Sequence, residues 1–162
     1  MDIEVLYRRT LLSHPNLFIP TFSENNICAL LCSWGLSQKI LNSISMRLEF
    51  WPTIDSYIGE YGGKKGNQHV IKINNHYVQS TPEQFNLTVI HELRHMFWNI
   101  IDPLAARTHF DKEGFVFRCC TQVQCCRPKK FETEENDCVA AEEKHKDFIV
   151  AALVAPGEIR LY

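Results

Sequence analysis

Residues 81 to 103 hold the local pattern that most constrains how this 162-residue chain can fold. Thr81 can cap a helix, and Pro82 suits the first helical position. Apolar residues then recur at helical spacing until Asp102-Pro103 ends the segment. The pattern predicts an amphipathic helix of about five turns.

The middle of this predicted helix reads His91-Glu92-Leu93-Arg94-His95, an H-E-x-x-H motif. Residues four apart project from the same side of a helix, so His91 and His95 can reach one metal ion. Zinc accepts neutral imidazole nitrogens, and catalytic zinc sites keep one position for water. Glu92 can take a proton from that water as the water attacks a peptide carbonyl. The motif therefore predicts a zinc (Zn²⁺) metallopeptidase with two histidine ligands and Glu92 as the general base.

A third protein ligand has to come from outside the motif, because the sixth residue after His95 is Ile101 rather than histidine. A last helix is predicted from Val139 to Ala155, because helix-favouring alanine recurs along this segment and Leu153 adds to it. Side chains that can ligate zinc lie near its start, and they are Glu142, Glu143 and His145. The other candidate is His109, in the segment that follows the motif.

The segments before the motif predict a helix and a small sheet. Ser23 can cap a first helix, whereas the residues before Pro20 show no clear period. Alternating apolar residues predict strands at residues 45–51 and 69–74, and residues 56–61 are interpreted as a third strand. The glycine-rich run between the last two predicts a hairpin, and the first strand is expected to join it. The prediction is an α+β fold in a single domain, 1–162, with a small antiparallel sheet packed against the motif helix and a C-terminal helix.

Residues 103–137 are predicted to form a long cysteine-rich loop, with a short strand at 115–118. Its cysteines are Cys119, Cys120, Cys125 and Cys126, with Cys138 just beyond the loop. They are interpreted as ordinary loop thiols, as ligands of a second metal ion, or as thiols with a redox role or a role in masking the catalytic zinc. The chain has seven cysteines, an odd number, and its first residues do not resemble a secretory signal. These features predict reduced thiols and a cytoplasmic protein.

The charge and hydropathy of the chain exclude some classes of binding partner. The formal net charge is −2, which argues against direct nucleic-acid binding or attraction to an anionic membrane surface. No run of apolar residues is long enough to span a bilayer. The expected partner is therefore a protein or peptide substrate.

Residues 71–74 and 84–95 together resemble the ImmA/IrrE-type metallopeptidases, which pair an I-x-I-N strand with a phenylalanine-led H-E-L-G-H helix. Residues 145–156 are similar to the last helix of that family when aligned on Pro156. The resemblance covers about residues 55 to 156 and departs at Arg94, where the family has glycine. It implies a zincin-like fold, a third zinc ligand at Glu143, and limited proteolysis of a repressor-type transcriptional regulator.

Two other interpretations stay open at this point. SprT-like proteases also place a strand before H-E-x-x-H and carry a third histidine near the position of His109. A non-catalytic interaction or toxin-like module could instead keep the metal only for stability.

Overall fold

The computed structural model describes residues 1–7, 22–51, 58–74, 82–101, 118–119 and 129–148. The fold of these residues is α+β, with a small mixed sheet and four helices. The strands are β1 (Asp2–Tyr7), β2 (Ser45–Trp51), β3 (Gly59–Lys65), β4 (Gln68–Asn74) and β5 (Arg118–Cys119). The helices are α1 (Glu24–Ser33), α2 (Gln38–Ser43), α3 (Pro82–Ile101) and α4 (Lys129–Lys144).

The five strands follow the order β1-β2-β4-β3-β5 across the sheet. Strands β1, β2 and β4 run parallel, whereas β3 is antiparallel to both β4 and β5. The predicted all-antiparallel sheet is therefore wrong. Alternating side chains look alike in both kinds of pairing, and the chain between β1 and β2 is long enough for the crossover that parallel strands require.

The predicted hairpin is confirmed as β3 and β4, joined at Gly66 and Asn67. Gly66 has a φ of +63°, a left-handed conformation that suits a tight turn and that glycine adopts without steric cost. The pairing shifts between Tyr61 and Lys64, so most of the glycine-rich run lies in an irregular part of β3 rather than in the turn.

Local signals located α1 and α3 correctly. The hydroxyl of Ser23 accepts a hydrogen bond from the Asn26 amide at 3.4 Å and caps α1. Helix α3 begins at Pro82 and ends at Ile101, immediately before the predicted Asp-Pro stop. Strand β1 and helix α2 were not predicted, since neither segment has a clear periodic pattern of its own.

Helix α3 packs its apolar face against the sheet. The residues that meet there are fully buried, and they are Phe85, Val89, Ile90 and Leu93 from α3 with Met46, Leu48, Ile71 and Ile73 from β2 and β4. Burying one such side chain contributes roughly 1.5–3 kcal/mol. The core therefore fixes α3 along the sheet, and the H-E-x-x-H segment is held rigidly as part of it.

Helix α4 starts earlier than predicted. Residues 129–137 are helical rather than part of a loop, and α4 ends at Lys144, where a turn over residues 145–147 follows. The predicted helix start at Val139 is therefore wrong, and residues 149–155 of that prediction lie outside the described residues. Among the described helices, none is long and apolar enough to cross a membrane.

Candidate metal centre

The two histidines of the motif converge on one carboxylate from α4. His91 is fully buried, and only 2% of the His95 surface is exposed. The Nε2 atom of His91 lies 3.0 Å from Oε1 of Glu135, and Nε2 of His95 lies 3.2 Å from Oε2 of the same side chain. The Glu135 carboxylate therefore bridges the Nε2 atoms of the two histidines.

These separations match the dimensions of a metal shell. Zinc lies about 2.0–2.2 Å from imidazole nitrogen or carboxylate oxygen, which places tetrahedral ligand atoms roughly 3.3 Å apart. The contacts of Glu135 with His91 and His95, at 3.0 and 3.2 Å, are close to that value. Small adjustments of these three side chains would let their donor atoms share a central cation.

Helix α4 presents further donors on the same face. Glu135, Cys138 and Glu142 lie at positions i, i+3 and i+7, so they project toward α3 together. The Cys138 sulfur is fully buried, and it forms with donor atoms of His91 and His95 a group whose members all lie within 4.8 Å of one another. This buried cluster can hold a metal ion.

Glu142 contacts the other nitrogen of the first histidine. Its Oε1 atom lies 3.0 Å from Nδ1 of His91, on the opposite side of the ring from Glu135. Among the described residues, neither ring nitrogen of His91 has a hydrogen bond with acceptable geometry, although both have these close carboxylate contacts. A carboxylate behind a metal-binding histidine orients the ring and increases its basicity. Glu142 is placed for that role.

The carboxylates shift the protonation of the cluster. Burial alone would lower the pKa of His91, but the contacts with Glu135 and Glu142 and the charge of Glu92 outweigh it and raise that pKa to about 10. Burial would raise the pKa of Glu135, yet His91 and His95 hold it well below its ordinary value. The carboxylates therefore favour the protonated form of His91 when no metal is bound.

Glu92 lies beneath the backbone of β3. The side chain is fully buried on α3, next in sequence to His91. A Cβ atom built on Gly59 would lie 2.7 Å from Oε1 of Glu92 and 2.9 Å from Cγ2 of Thr88, closer than such atoms normally approach. The absence of a side chain at Gly59 therefore makes room for the Glu92 carboxylate.

Arg94 ties α4 to α3 beside this cluster. Its Nε donates a short hydrogen bond to Oδ2 of Asp137, which also accepts one from Nε1 of Trp98 at 2.8 Å. The Arg94 guanidinium lies over the rings of Trp34 and Phe97, 4.9 and 4.4 Å from their centroids. Arg94, which stands where the ImmA/IrrE-type metallopeptidases have glycine, thus positions α4.

The predicted third ligand, Glu143, is exposed on α4 and is not the carboxylate that reaches the histidines. Successive helical residues are rotated by about 100°, so Glu143 points away when Glu142 faces α3. His145 instead accepts a hydrogen bond from Nε1 of Trp34 at 3.0 Å. His109, Cys120, Cys125 and Cys126 lie outside the described residues, and for Cys119 only the backbone of β5 is described.

Sequence reasoning missed Glu135 because it was assigned to a loop, and it considered Cys138 only as a ligand of a second metal ion rather than as a neighbour of His91 and His95. The signal that could have found them is their spacing with Glu142, since donors at i, i+3 and i+7 share one helical face. No family model, no curated protein and no solved structure matches this chain.

Proposed function

We propose that this chain is a zinc-dependent metallopeptidase with a zincin-like active site, in which His91, His95 and Glu135 hold the metal. The observation that supports it most is that both motif histidines contact one carboxylate of a second helix, that of Glu135, at 3.0 and 3.2 Å. Catalytic zinc sites typically have three protein ligands, drawn from histidine, carboxylate and cysteine side chains, and leave the fourth position for water.

The donor chemistry favours zinc. Two imidazoles suit zinc, copper, iron and nickel, whereas magnesium and calcium sites are built from oxygen ligands. Three carboxylates also lie near the pair, that of the fully buried Glu92 and those of Glu135 and Glu142, whose side chains are 22% exposed. Collecting these negative charges at a mostly buried place is costly without a cation. A divalent ion bound by two neutral histidines would compensate this charge.

Glu92 is the general base in this proposal. It follows the first ligand on α3, is fully buried, and is packed by β3 at Gly59, so its carboxylate has few alternative orientations. When bound, zinc supplies Lewis-acid activation of water and of the peptide carbonyl. Glu92 would accept a proton from the attacking water and later pass it to the leaving amine. The proposed substrate is a protein or peptide, and a repressor-type regulator is proposed only from the family resemblance.

A metal-stabilised module without catalysis is the second candidate. Cys138 favours it, because a fourth protein donor close to the histidines can close the metal site, as in structural zinc sites.

Substitution of the proposed base tests the function. Zinc-loaded wild type, Glu92→Gln and Glu83→Gln would be incubated with a complex peptide mixture, and new peptide termini would be counted by mass spectrometry. Glu83 is exposed in the first turn of α3 and provides the matched control. We expect Glu92→Gln to retain zinc and to lose cleavage by about 10²-fold or more, while Glu83→Gln keeps both.

Two outcomes would contradict the proposal. One is equal cleavage by Glu92→Gln and wild type. The other is the absence of cleavage by zinc-loaded wild type and also by a Cys138→Ala variant.

A further inference from the structure

Cys138 is the one donor of the cluster for which the proposed hydrolysis has no use. It is fully buried on α4, one helical turn after Glu135, and belongs to the group of donors that includes His91 and His95. Three ligands and a water position already complete a catalytic zinc site. A thiol at this place therefore requires its own explanation.

Packing is the ordinary role of a buried cysteine, but the surroundings of Cys138 differ from a packing site. Cys138 counts among the buried apolar side chains, but the contiguous apolar cluster of the described residues includes Ala141, on the next turn of α4, and not Cys138. The sulfur instead lies with imidazole nitrogens. Those of the fully buried His91 have close carboxylate contacts with Glu135 and Glu142, at 3.0 Å each, but no hydrogen bond with acceptable geometry among the described residues. Buried polar atoms of this kind normally have a hydrogen-bonding or metal partner.

We infer that the Cys138 thiolate is a fourth metal ligand, which closes the site and keeps the peptidase latent until the sulfur leaves the metal. The inference rests on the proposed function. Binding of the sulfur releases the thiol proton to solvent and displaces the water that hydrolysis needs, and opening reverses both changes. Neither direction requires an oxidant or a reductant.

The position of Cys138 allows its sulfur to bind the metal and to leave it again. Glu135 precedes it by three residues on α4, so both donors approach the histidines from the same helix face. The thiolate can leave while His91, His95 and Glu135 still hold the ion. A soft thiolate also raises selectivity for zinc over magnesium, calcium or manganese. The closed state thus combines tight metal retention with suppressed hydrolysis.

Cobalt spectroscopy tests the ligand directly, without relying on activity. The protein would be reconstituted with one equivalent of Co²⁺ as wild type, Cys138→Ala and Cys32→Ala, the last because Cys32 is an exposed cysteine on α1. We expect the near-ultraviolet thiolate-to-cobalt charge-transfer band in wild type and in Cys32→Ala. The band should be absent from Cys138→Ala, which should still bind one cobalt ion.

Suppression of cleavage by Cys138 is tested by separate measurements. If the closed form is populated at about 90%, only about a tenth of wild type is competent, so Cys138→Ala should cleave peptides about tenfold faster. It should also lose zinc to a chelator faster than wild type. X-ray absorption of zinc-loaded wild type should detect one sulfur at about 2.3 Å, which tests the ligand even if the variant fails to fold.

The outcomes separate this inference from the proposed function. A bound metal with no sulfur ligand, or a charge-transfer band that survives in Cys138→Ala, would overturn the inference and leave the peptidase proposal standing. Loss of the band without faster cleavage would overturn the latency. Failure of wild type to bind zinc or cobalt at all would overturn the proposed function itself.

Discussion

Replacing Gly59 with alanine should disturb the general base without touching the metal ligands. The new Cβ would lie 2.7 Å from Oε1 of Glu92 and 2.9 Å from Cγ2 of Thr88. Thr88 cannot easily rotate away, because its Oγ1 donates a hydrogen bond to the Gln84 carbonyl at 2.8 Å. Either β3 moves away from α3 or both side chains shift. Overpacking of this kind costs about 1–3 kcal/mol.

Gly62→Ala is the matched control in the same strand. Its new Cβ would meet nothing closer than Oε1 of Glu60 at 3.7 Å, an ordinary contact. Both substitutions reduce the entropy of the unfolded chain similarly, which contributes about 0.4–1 kcal/mol in the stabilising direction. The difference between the two variants therefore isolates the steric effect.

The assay is urea unfolding of both variants, followed by zinc content and peptide cleavage. We expect Gly59→Ala to be at least about 1 kcal/mol less stable than Gly62→Ala, with unchanged zinc stoichiometry. Cleavage should fall by up to about 10²-fold, since a misplacement of about 1 Å at a catalytic group has that effect. Equal stabilities for the two variants would refute the close approach of β3 to Glu92.

Three further predictions concern the surroundings of the site and the sheet. Glu142→Gln should weaken zinc affinity about 10–100-fold in a competition titration, because Glu142 orients His91, whereas the exposed Glu143→Gln should not change it. Asp137→Asn should destabilise the protein by about 1–2 kcal/mol in urea, because the acceptor for Arg94 and Trp98 loses its charge; an unchanged unfolding midpoint would contradict this. Burial, and secondarily Lys64, lowers the pKa of His69 to about 4, so the unfolded chain binds more protons than the folded one between about pH 4 and 6.5. Stability from this group is complete above about pH 6.5, and roughly 2 kcal/mol of it should be lost between pH 8 and 5 in wild type but not in His69→Gln.

The parts of the fold that were predictable are those specified by neighbouring residues. The start of α3 at Pro82 and its end at Ile101 follow from local capping and stop signals. The approach of His91 to His95 follows from their four-residue spacing on that helix. The hairpin of β3 and β4 follows from the turn signal at Gly66 and Asn67. Each of these depends on contacts within a few residues.

The parts that could not be predicted depend on long-range pairing. The parallel alignment of β1 with β2 joins residues about forty positions apart, for example Asp2 with Ser45, and alternation carries no information on strand direction. The proposed third ligand, Glu135, depends on where α4 begins. Residues 129–137 are strongly polar and lack an apolar stripe, so the sequence carries no helical period there, whereas in the fold Asp137 and Glu135 contact α3.

We propose that His91, His95 and Glu135 hold one zinc ion between α3 and α4. The zinc content of protein purified without added zinc should be measured for wild type, for Glu135→Gln and for Glu143→Gln, a control on another face of α4. We expect about one zinc per chain in wild type and in Glu143→Gln, and a marked loss in Glu135→Gln. No zinc in wild type, or a loss confined to Glu143→Gln, would contradict it.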